Sequence, residues 1–146
     1  MANLNILVGL PASGKSTWAN NNKGNSVIVS TDELRYIING SVLIQRDSAR
    51  IFSYAYDIIK MSLEYGQNVI FDATNLHKKD RLNMLEYFKP FADDINLIVF
   101  RTPFDECLRR NNKREFKVPL ARMEIMNKNY EVPSEDEGFG NIIYIN

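Results

Sequence analysis

The chain has 146 residues, of which 45% are hydrophobic, and its 18 basic residues balance 18 acidic ones. This length and composition predict one compact domain spanning residues 1–146. The neutral charge balance does not by itself indicate a nucleic-acid binder. No apolar run approaches the roughly 20 residues of a membrane span, so we expect no membrane partner. A single cysteine, Cys107, excludes an internal disulfide, and because the first predicted strand begins almost at the N-terminus we expect no signal peptide. We therefore expect a cytoplasmic protein.

The first predicted element is a short strand ending at Val8, which leads into the segment GLPASGKST at residues 9–17. This segment matches the phosphate-binding loop pattern G-x-x-x-x-G-K-[ST] between a strand and a helix. Its glycines allow successive N–H groups to face one concavity at a helix N-terminus, which favours an anion. Lys15 would bring a positive charge to the outer phosphates, and the Ser16 hydroxyl would ligate Mg²⁺. The segment predicts a nucleoside triphosphate site formed by Gly9, Pro11, Ala12, Ser13, Gly14, Lys15, Ser16 and Thr17.

Residues 25–30 predict a second strand, followed by a helix that begins at Thr31 with its hydroxyl as the cap. Phosphoryl transfer to a hydroxyl needs a carboxylate that takes up its proton, and Asp32 would stand at this strand end facing the phosphate loop. Arg35 lies three residues later on the same helix face, from which it could hold an anionic acceptor by a forked contact. The alternative is that Asp32 is a first-turn acid and Arg35 a surface charge.

An amphipathic helix is predicted from Asp47 to about Tyr65, and it ends at Gly66. The next strand, residues 69–71, runs into the sequence DATN at residues 72–75. An acid after an apolar strand is typical of the Walker-B position of phosphate-loop proteins, so the predicted metal ligands are Ser16 and, through water, Asp72. Thr74 and Asn75 are predicted to position phosphate or acceptor; an ordinary Asx turn is the alternative.

The remaining patterns predict a helix over 78–88 with Leu82, Leu85 and Phe88 on one side, a buried strand over 95–100, a helix over 104–112 and a helix over about 119–130. The acidic segment 131–137 is predicted to be a solvated loop, and residues 142–145 a last strand. Alternating strands and helices predict an α/β fold with a mostly parallel five-stranded sheet and helices on both faces. Polar segments at the carboxyl ends of the strands should then share one cleft.

A basic stretch spans Arg101 to Arg122, where seven basic residues face three acidic ones, a balance of seven minus three, or +4. Arg110 and Arg114 are four residues apart, so one helical turn aligns them. Arginines near the β- and γ-phosphates stabilise the charge of the transition state, so we predict that Arg110 binds the nucleotide and that Arg114 acts from a lid-like segment at about 110–119. The same patch could contact a nucleic-acid backbone, and a solvated helix face, favoured for Arg109, is the third reading.

The motifs GLPASGKSTWA, STDELR, DATNL and RRNNKR, followed by VP and Arg122-Met123, resemble in this order the kinase domain of bacteriophage polynucleotide 5′-kinases. The resemblance covers about residues 3–126. It implies a P-loop NTPase/kinase fold and transfer of the γ-phosphate of ATP, with Mg²⁺, to the 5′-hydroxyl of DNA or RNA. It implies that Lys15 serves the phosphates, that Asp32 is the general base, that Arg35 holds the neighbouring nucleic-acid phosphate and that Arg114 stabilises the transferring phosphates.

Two other functions remain open from the sequence. A kinase for a small metabolite or sugar nucleotide would use the same site with another acceptor. A nucleotide-dependent switch would bind nucleotide without any acceptor, but it would need neither Asp32 nor a lid. No obligatory protein partner is expected.

Overall fold

The computed structural model of the protein describes residues 2–41 and 48–146. In these ranges strands and helices alternate along the chain, as the sequence patterns predict. The elements are β1 (Asn3–Val8), α1 (Lys15–Asn22), β2 (Val27–Ser30), α2 (Thr31–Asn39), α3 (Ser48–Glu64), β3 (Val69–Asp72), α4 (Lys78–Phe88), β4 (Asp94–Phe100), α5 (Phe104–Asn112), α6 (Leu120–Asn129) and β5 (Ile142–Ile145). The predicted start of α3 at Asp47 lies outside the described residues.

The five strands form one sheet in the order β2-β3-β1-β4-β5, and every neighbouring pair is parallel. In the centre, Ile6 of β1 pairs with Phe71 of β3 and with Leu97 of β4. The predicted α/β fold with a mostly parallel five-stranded sheet is therefore confirmed. The parallel arrangement puts the carboxyl ends of all five strands at one edge.

Helices cover both faces of this sheet. On one face, Ala55 and Ile59 of α3 and Phe88 of α4 pack with the strands in the main core cluster. On the other face, Ala19 of α1 packs with a smaller cluster that includes Phe100. Among the helices of the described ranges, none has both the length and the apolar character needed to cross a bilayer.

The start of α2 differs by one residue from the prediction. The Oγ of Ser30 accepts a hydrogen bond from Glu33 N–H at 3.2 Å, so Ser30 caps the helix. Thr31 was predicted as the cap, but it is the first helical residue and is buried. The sequence pattern for the start of α2 was ambiguous because two hydroxyl residues, Ser30 and Thr31, stand side by side. In the structure Ser30 has the extended backbone that a cap requires.

Two predictions about the second half of the chain are wrong in part. Phe88 of α4 is buried and Leu85 packs against the core, but Leu82 is 36% exposed, whereas Arg81 is fully buried. The acidic segment 131–137 is not a solvated loop throughout, because it ends in a 3₁₀ turn (Glu135–Glu137) in which Glu137 is buried. The two buried charged groups, Arg81 and Glu137, bond each other. Arg81 Nε donates to Glu137 Oε1 at 2.9 Å and Nη2 donates to Oε2 at 3.0 Å, and this pairing compensates the burial of both charges.

Candidate active site

The phosphate-binding loop leaves β1 and turns sharply into α1. Two of its residues adopt left-handed backbone conformations, Ala12 with a φ of 63° and Gly14 with a φ of 103°. Gly14 is the residue before the first helical turn and makes no side-chain cap, so the first N–H groups of α1 remain directed at the loop. A helix N-terminus of this kind favours an anion through its free amides and its dipole.

Lys15 is folded back onto the loop that carries it. Its Nζ donates to Gly9 O at 3.0 Å and to Leu10 O at 2.8 Å, and the residue is 8% exposed. Burial lowers the pKa of Lys15 to about 8; the negative charges of Asp72 and Asp32 oppose this shift, and the positive charge of Arg114 adds to it. The two hydrogen bonds of the ammonium group go to neutral carbonyl groups, so an anionic ligand would supply a direct counter-charge.

Ser16 and Asp72 meet across the gap between α1 and β3. Ser16 Oγ donates to Asp72 Oδ2 at 2.6 Å. A hydroxyl that donates its proton to a carboxylate keeps its lone pairs for a cation, and oxygen ligands of this kind suit Mg²⁺. Within the described ranges no three His, Cys, Asp or Glu side chains form a metal-binding group, so the protein offers this pair rather than a complete metal cage.

Asp32 and Arg35 stand at the end of β2, on the first turn of α2. Arg35 Nη1 donates to Asp32 Oδ1 at 3.0 Å. The Arg35 side chain is 11% exposed, whereas that of Asp32 is 58% exposed and open to solvent. The structure therefore places a carboxylate and a guanidinium group together beside the phosphate-binding loop.

A cavity of about 1230 Å³ joins these groups along the carboxyl edge of the sheet. Most of the residues that the sequence indicated line it. They are Pro11, Ala12, Ser13, Gly14, Lys15, Ser16, Thr17, Asp32, Arg35, Asp72, Thr74, Arg110 and Arg114.

Two of the predicted site residues do not line this cavity. Gly9 N–H donates to Thr74 O at 3.0 Å, and a Cβ atom at Gly9 would lie 2.7 Å from Ser13 Oγ. Gly9 therefore provides space for the loop, and its amide does not face a phosphate. Asn75 is 7% exposed, and its Nδ2 donates to Leu7 O at 2.7 Å. Asn75 therefore bonds within the protein and lies outside the cavity wall, and a contact of its side chain with phosphate or acceptor stays a prediction.

The arginines of the basic stretch have different surroundings. Glu106 accepts hydrogen bonds from Arg109 and from Arg110 Nε, the latter at 3.0 Å, and the two arginines hold the pKa of Glu106 at about 2. A Cβ atom at Gly14 would lie 3.6 Å from Arg110 Nη1, so this guanidinium sits over the phosphate-binding loop. Arg109 points to solvent, in line with its expected surface role.

The segment between α5 and α6 is closed at its base by one buried side chain. Asn111 Nδ2 donates to Val118 O at 2.8 Å, and Val118 N–H donates to Asn111 Oδ1 at 3.0 Å. These two bonds convert residues 112–117 into a compact loop that carries Arg114 at the cavity.

Sequence reasoning missed several residues of the cavity wall. Thr102 lies two residues after the end of β4, and its Oγ1 donates to Ser13 O at 2.8 Å, which holds the phosphate-binding loop from the β4 side. The sequence did contain an indication of this role, because Thr102 comes just after the carboxyl end of a strand. The polar segments that were predicted to share the cleft have the same kind of position. Phe52 and Phe116 also line the cavity, and no motif distinguishes them. Arg122, the last residue of the basic stretch, lines it as well.

The residues present fit a nucleoside triphosphate with Mg²⁺. Ser13 Oγ is buried, faces no hydrogen-bond partner in the described part of the protein, and belongs to a residue of the cavity wall. A buried hydroxyl without a partner is costly unless a ligand completes it. Lys15, Ser16 and Asp72 supply the cation and the oxygen ligands that bound phosphates and Mg²⁺ require.

Comparison with known proteins agrees with this geometry. A family model described as an AAA domain matches residues 4–133. The L-seryl-tRNA(Sec) kinase of Methanococcus maripaludis is 30% identical over 137 residues, which cover 88% of this chain and 52% of that protein. The chain thus spans about half the length of this curated relative.

Solved structures share the fold. A chain of the Pnkp1/Rnl/Hen1 RNA repair complex superposes with a TM-score of 0.77 at 28% identity, covering 88% of this chain and 43% of that one. Kti12 of Chaetomium thermophilum, solved with ADP-AlF3, has a TM-score of 0.77 at 19% identity over 97% of this chain and 88% of its own. The APS kinase CysC of Mycobacterium tuberculosis, solved with AMPPNP and APS, has a TM-score of 0.69 at 19% identity over 98% and 88%.

Proposed function

The chain belongs to the AAA domain family and has the P-loop kinase fold, and we propose from this premise that it transfers the γ-phosphate of ATP to the 5′-hydroxyl of a polynucleotide. The observation that carries the proposal is the ion pair of Asp32 and Arg35 beside the phosphate-binding loop. A carboxylate next to a guanidinium group suits an acceptor in which a hydroxyl lies beside an anion. The 5′-terminal nucleotide of DNA or RNA has this pattern.

The proposed reaction assigns one task to each side chain. The acceptor oxygen attacks the γ-phosphorus, the bond from that phosphorus to the β–γ bridging oxygen breaks, and the proton of the hydroxyl passes to Asp32. Lys15 and Arg114 stabilise the negative charge on the phosphoryl oxygens, and Arg110 holds the nucleotide over Gly14. Ser16 and, through water, Asp72 would hold Mg²⁺, which would supply positive charge to neutralise the phosphates. Arg35 holds the acceptor phosphate and so orients the hydroxyl.

Two relatives support a nucleic-acid acceptor over a free metabolite. One belongs to an RNA repair complex, and the other is named as a kinase of seryl-tRNA. The second name also motivates a second candidate function, in which the accepting hydroxyl belongs to an aminoacyl group on tRNA. Both candidates place a hydroxyl close to phosphates of a nucleic acid, which Arg35 could bind.

End-phosphorylation measures the proposal directly. The protein is incubated with Mg²⁺ and radiolabelled ATP together with 5′-hydroxyl DNA, 5′-hydroxyl RNA, seryl-tRNA or a set of sugar nucleotides. We expect label at the 5′ end of the oligonucleotides. Label on seryl-tRNA alone would favour the second candidate, label on a metabolite alone would refute a nucleic-acid acceptor, and ATP binding without transfer to any acceptor would indicate a switch.

Asp32→Asn provides the matched control protein for this assay. The substitution keeps the size of the side chain and removes its basicity, so we expect transfer to fall by about 10²–10⁴-fold while ATP still binds. A variant that transfers phosphate at the rate of the unaltered protein would show that Asp32 is not the base.

A further inference from the structure

The connection between β3 and α4 contains an asparagine in a backbone conformation that few side chains tolerate. Asn75 has a φ of 50° and is 7% exposed. Its Nδ2 donates to Leu7 O of the neighbouring strand β1 at 2.7 Å and to Ala73 O at 3.3 Å. Asparagine is one of the few residues that adopt this left-handed region readily, so both its backbone and its amide suit this position.

Asn75 continues the link between β1 and β3 beyond the end of their ladder. The register of the two strands runs as far as Ile6 and Phe71. After this pair, Gly9 N–H donates to Thr74 O at 3.0 Å, and the Asn75 amide bonds Leu7 O. Two further hydrogen bonds therefore hold the segments together where they separate into the two loops of the site.

The far side of Asn75 is held by the buried ion pair. Arg81 Nη1 donates to Asn75 O at 2.9 Å, and the rest of the same guanidinium group binds Glu137. Arg81 and Glu137 have side chains that are 0% exposed. The backbone of Asn75 is thus fixed from α4 and its amide from β1, which leaves this connection little freedom to shift.

The two segments that Asn75 joins lead to the two oxygen groups of the candidate metal site. Ser16 lies in the first turn of α1, Asp72 is the last residue of β3, and their oxygen atoms are 2.6 Å apart. We propose that Asn75 is a positioning residue for Mg²⁺: its amide holds the β3 end against β1, so that Asp72 stays in register with Ser16. The inference rests on the proposed use of ATP with Mg²⁺, and it does not depend on which acceptor receives the phosphate.

The role of Asn75 can be separated from simple stability by measuring how Mg²⁺ changes ATP binding. Asn75→Gly tolerates a positive φ and lacks the amide, and Asn75→Asp keeps the shape but presents an acceptor to Leu7 O. Asn96→Ala is the matched control, because Asn96 Nδ2 donates to Asn5 Oδ1 at 3.0 Å within the sheet, near the start of β4 and outside the cavity wall. For each protein we would measure the Kd of ATP in EDTA, the Mg²⁺ concentration that half-restores tight binding, and Tm.

For both Asn75 variants we expect the Mg²⁺ concentration that half-restores tight ATP binding to rise by about 10- to 100-fold, the range found for residues that orient metal ligands. The Kd of ATP in EDTA should change by less than about twofold. Asn96→Ala should lower Tm without changing the Mg²⁺ requirement. The proposal is overturned if the Asn75 variants lower Tm alone, or if they weaken ATP equally with and without Mg²⁺. Asn75→Asp provides the measurement if Asn75→Gly does not fold. Because the assay contains no acceptor, a failure of polynucleotide phosphorylation leaves its result unaffected.

Discussion

Arg35 Nη1 lies 3.0 Å from Asp32 Oδ1, so the proposed anchor of the acceptor and the proposed base are bonded to each other before any acceptor is present. Arg35 Nε is buried and has no hydrogen-bond partner in the described part of the chain. The guanidinium group therefore has donors to offer to an incoming anion. An acceptor phosphate that binds them would also draw Arg35 away from Asp32 and expose the carboxylate to the hydroxyl.

This relationship predicts a loss of acceptor affinity in Arg35→Ala. A hydrogen bond to a charged group contributes about 1.5–3 kcal/mol, so KM for a 5′-hydroxyl oligonucleotide should rise by about 10- to 150-fold. KM for ATP should change little, and Arg35→Lys should give an intermediate value because it keeps the charge without the fork. Steady-state kinetics with each substrate varied in turn would measure this. A loss confined to kcat would mean that Arg35 acts only on Asp32.

The position of Lys15 predicts a pH dependence of nucleotide binding. Its pKa in the nucleotide-free protein is lowered to about 8, chiefly by burial. Bound phosphates favour the charged ammonium, so above pH 8 binding must be accompanied by proton uptake. The affinity for ATP should be flat below about pH 8 and should then fall by up to about tenfold per pH unit.

Calorimetry in buffers with different ionisation enthalpies would detect the proton taken up by Lys15. Lys15→Arg is the control, because arginine stays charged over this range and should show no uptake between pH 8 and 9.5. A Kd of ATP that is constant from pH 7 to 9.5 in the unaltered protein would contradict the prediction.

The buried pair of Arg81 and Glu137 predicts a large change in stability. Glu137→Gln leaves the Arg81 charge buried without a counter-charge, which costs about 3–5 kcal/mol of the free energy of unfolding. The double variant Arg81→Met/Glu137→Leu should recover most of this loss, because it removes both charges. Urea denaturation would measure both, with Glu135→Gln as a control in the same 3₁₀ turn, where the side chain is exposed. Equal effects of Glu137→Gln and Glu135→Gln would disprove the role of the pair.

The same pair makes the free energy of unfolding depend on pH under acidic conditions. Burial acts to raise the pKa of Glu137, but hydrogen bonds from Arg81 and from Ser134 N–H outweigh it, and the pKa is lowered overall. A carboxylate with a lowered pKa in the folded state contributes stability above its unfolded pKa and loses it as pH falls through the folded pKa. The stability that Glu137 adds over Glu137→Gln should therefore be constant near neutral pH and decline below about pH 4.

The fold was predictable because its signals are local. The strand before GLPASGKST, the buried strand at 95–100 and Gly66 at the end of α3 each indicate their element without reference to the rest of the chain. Clusters at the carboxyl ends of parallel strands must then converge, which brought Lys15, Asp32 and Asp72 together on one cavity.

The roles of Asn75 and Glu137 were not predictable, because they depend on contacts distant in sequence. Asn75 bonds a carbonyl 68 positions earlier, and Glu137 pairs with a residue 56 positions earlier. In the sequence, DATN looks like a polar cluster at a strand end and EDE like a solvated run. Only the register of β1 and β3 and the packing of α4 decide that these two polar side chains face inwards.

Arg114 and Arg109 provide a final prediction, since they lie on the same basic stretch in opposite surroundings. Arg114 lines the cavity, and its charge lowers the pKa of Lys15. Arg109 points to solvent and bonds Glu106 through Nε at 2.9 Å. Removing one donor that stabilises a charged transition state typically costs about 10²–10³-fold in kcat, so Arg114→Ala should lose this much, with a smaller change in KM for ATP. Arg109→Ala should stay within about twofold, because its pair with Glu106 is exposed.

Single-turnover transfer to a 5′-hydroxyl oligonucleotide, with ATP saturating, separates this effect of Arg114 from binding. Arg114→Lys should restore part of the rate, because it returns the charge without the planar fork. If Arg114→Ala raises only the KM of the oligonucleotide, the loop at 112–117 contacts the nucleic acid and not the transferring phosphate. If Arg109→Ala is as damaging as Arg114→Ala, general positive charge on the stretch determines the rate, and the position of Arg114 at the cavity does not.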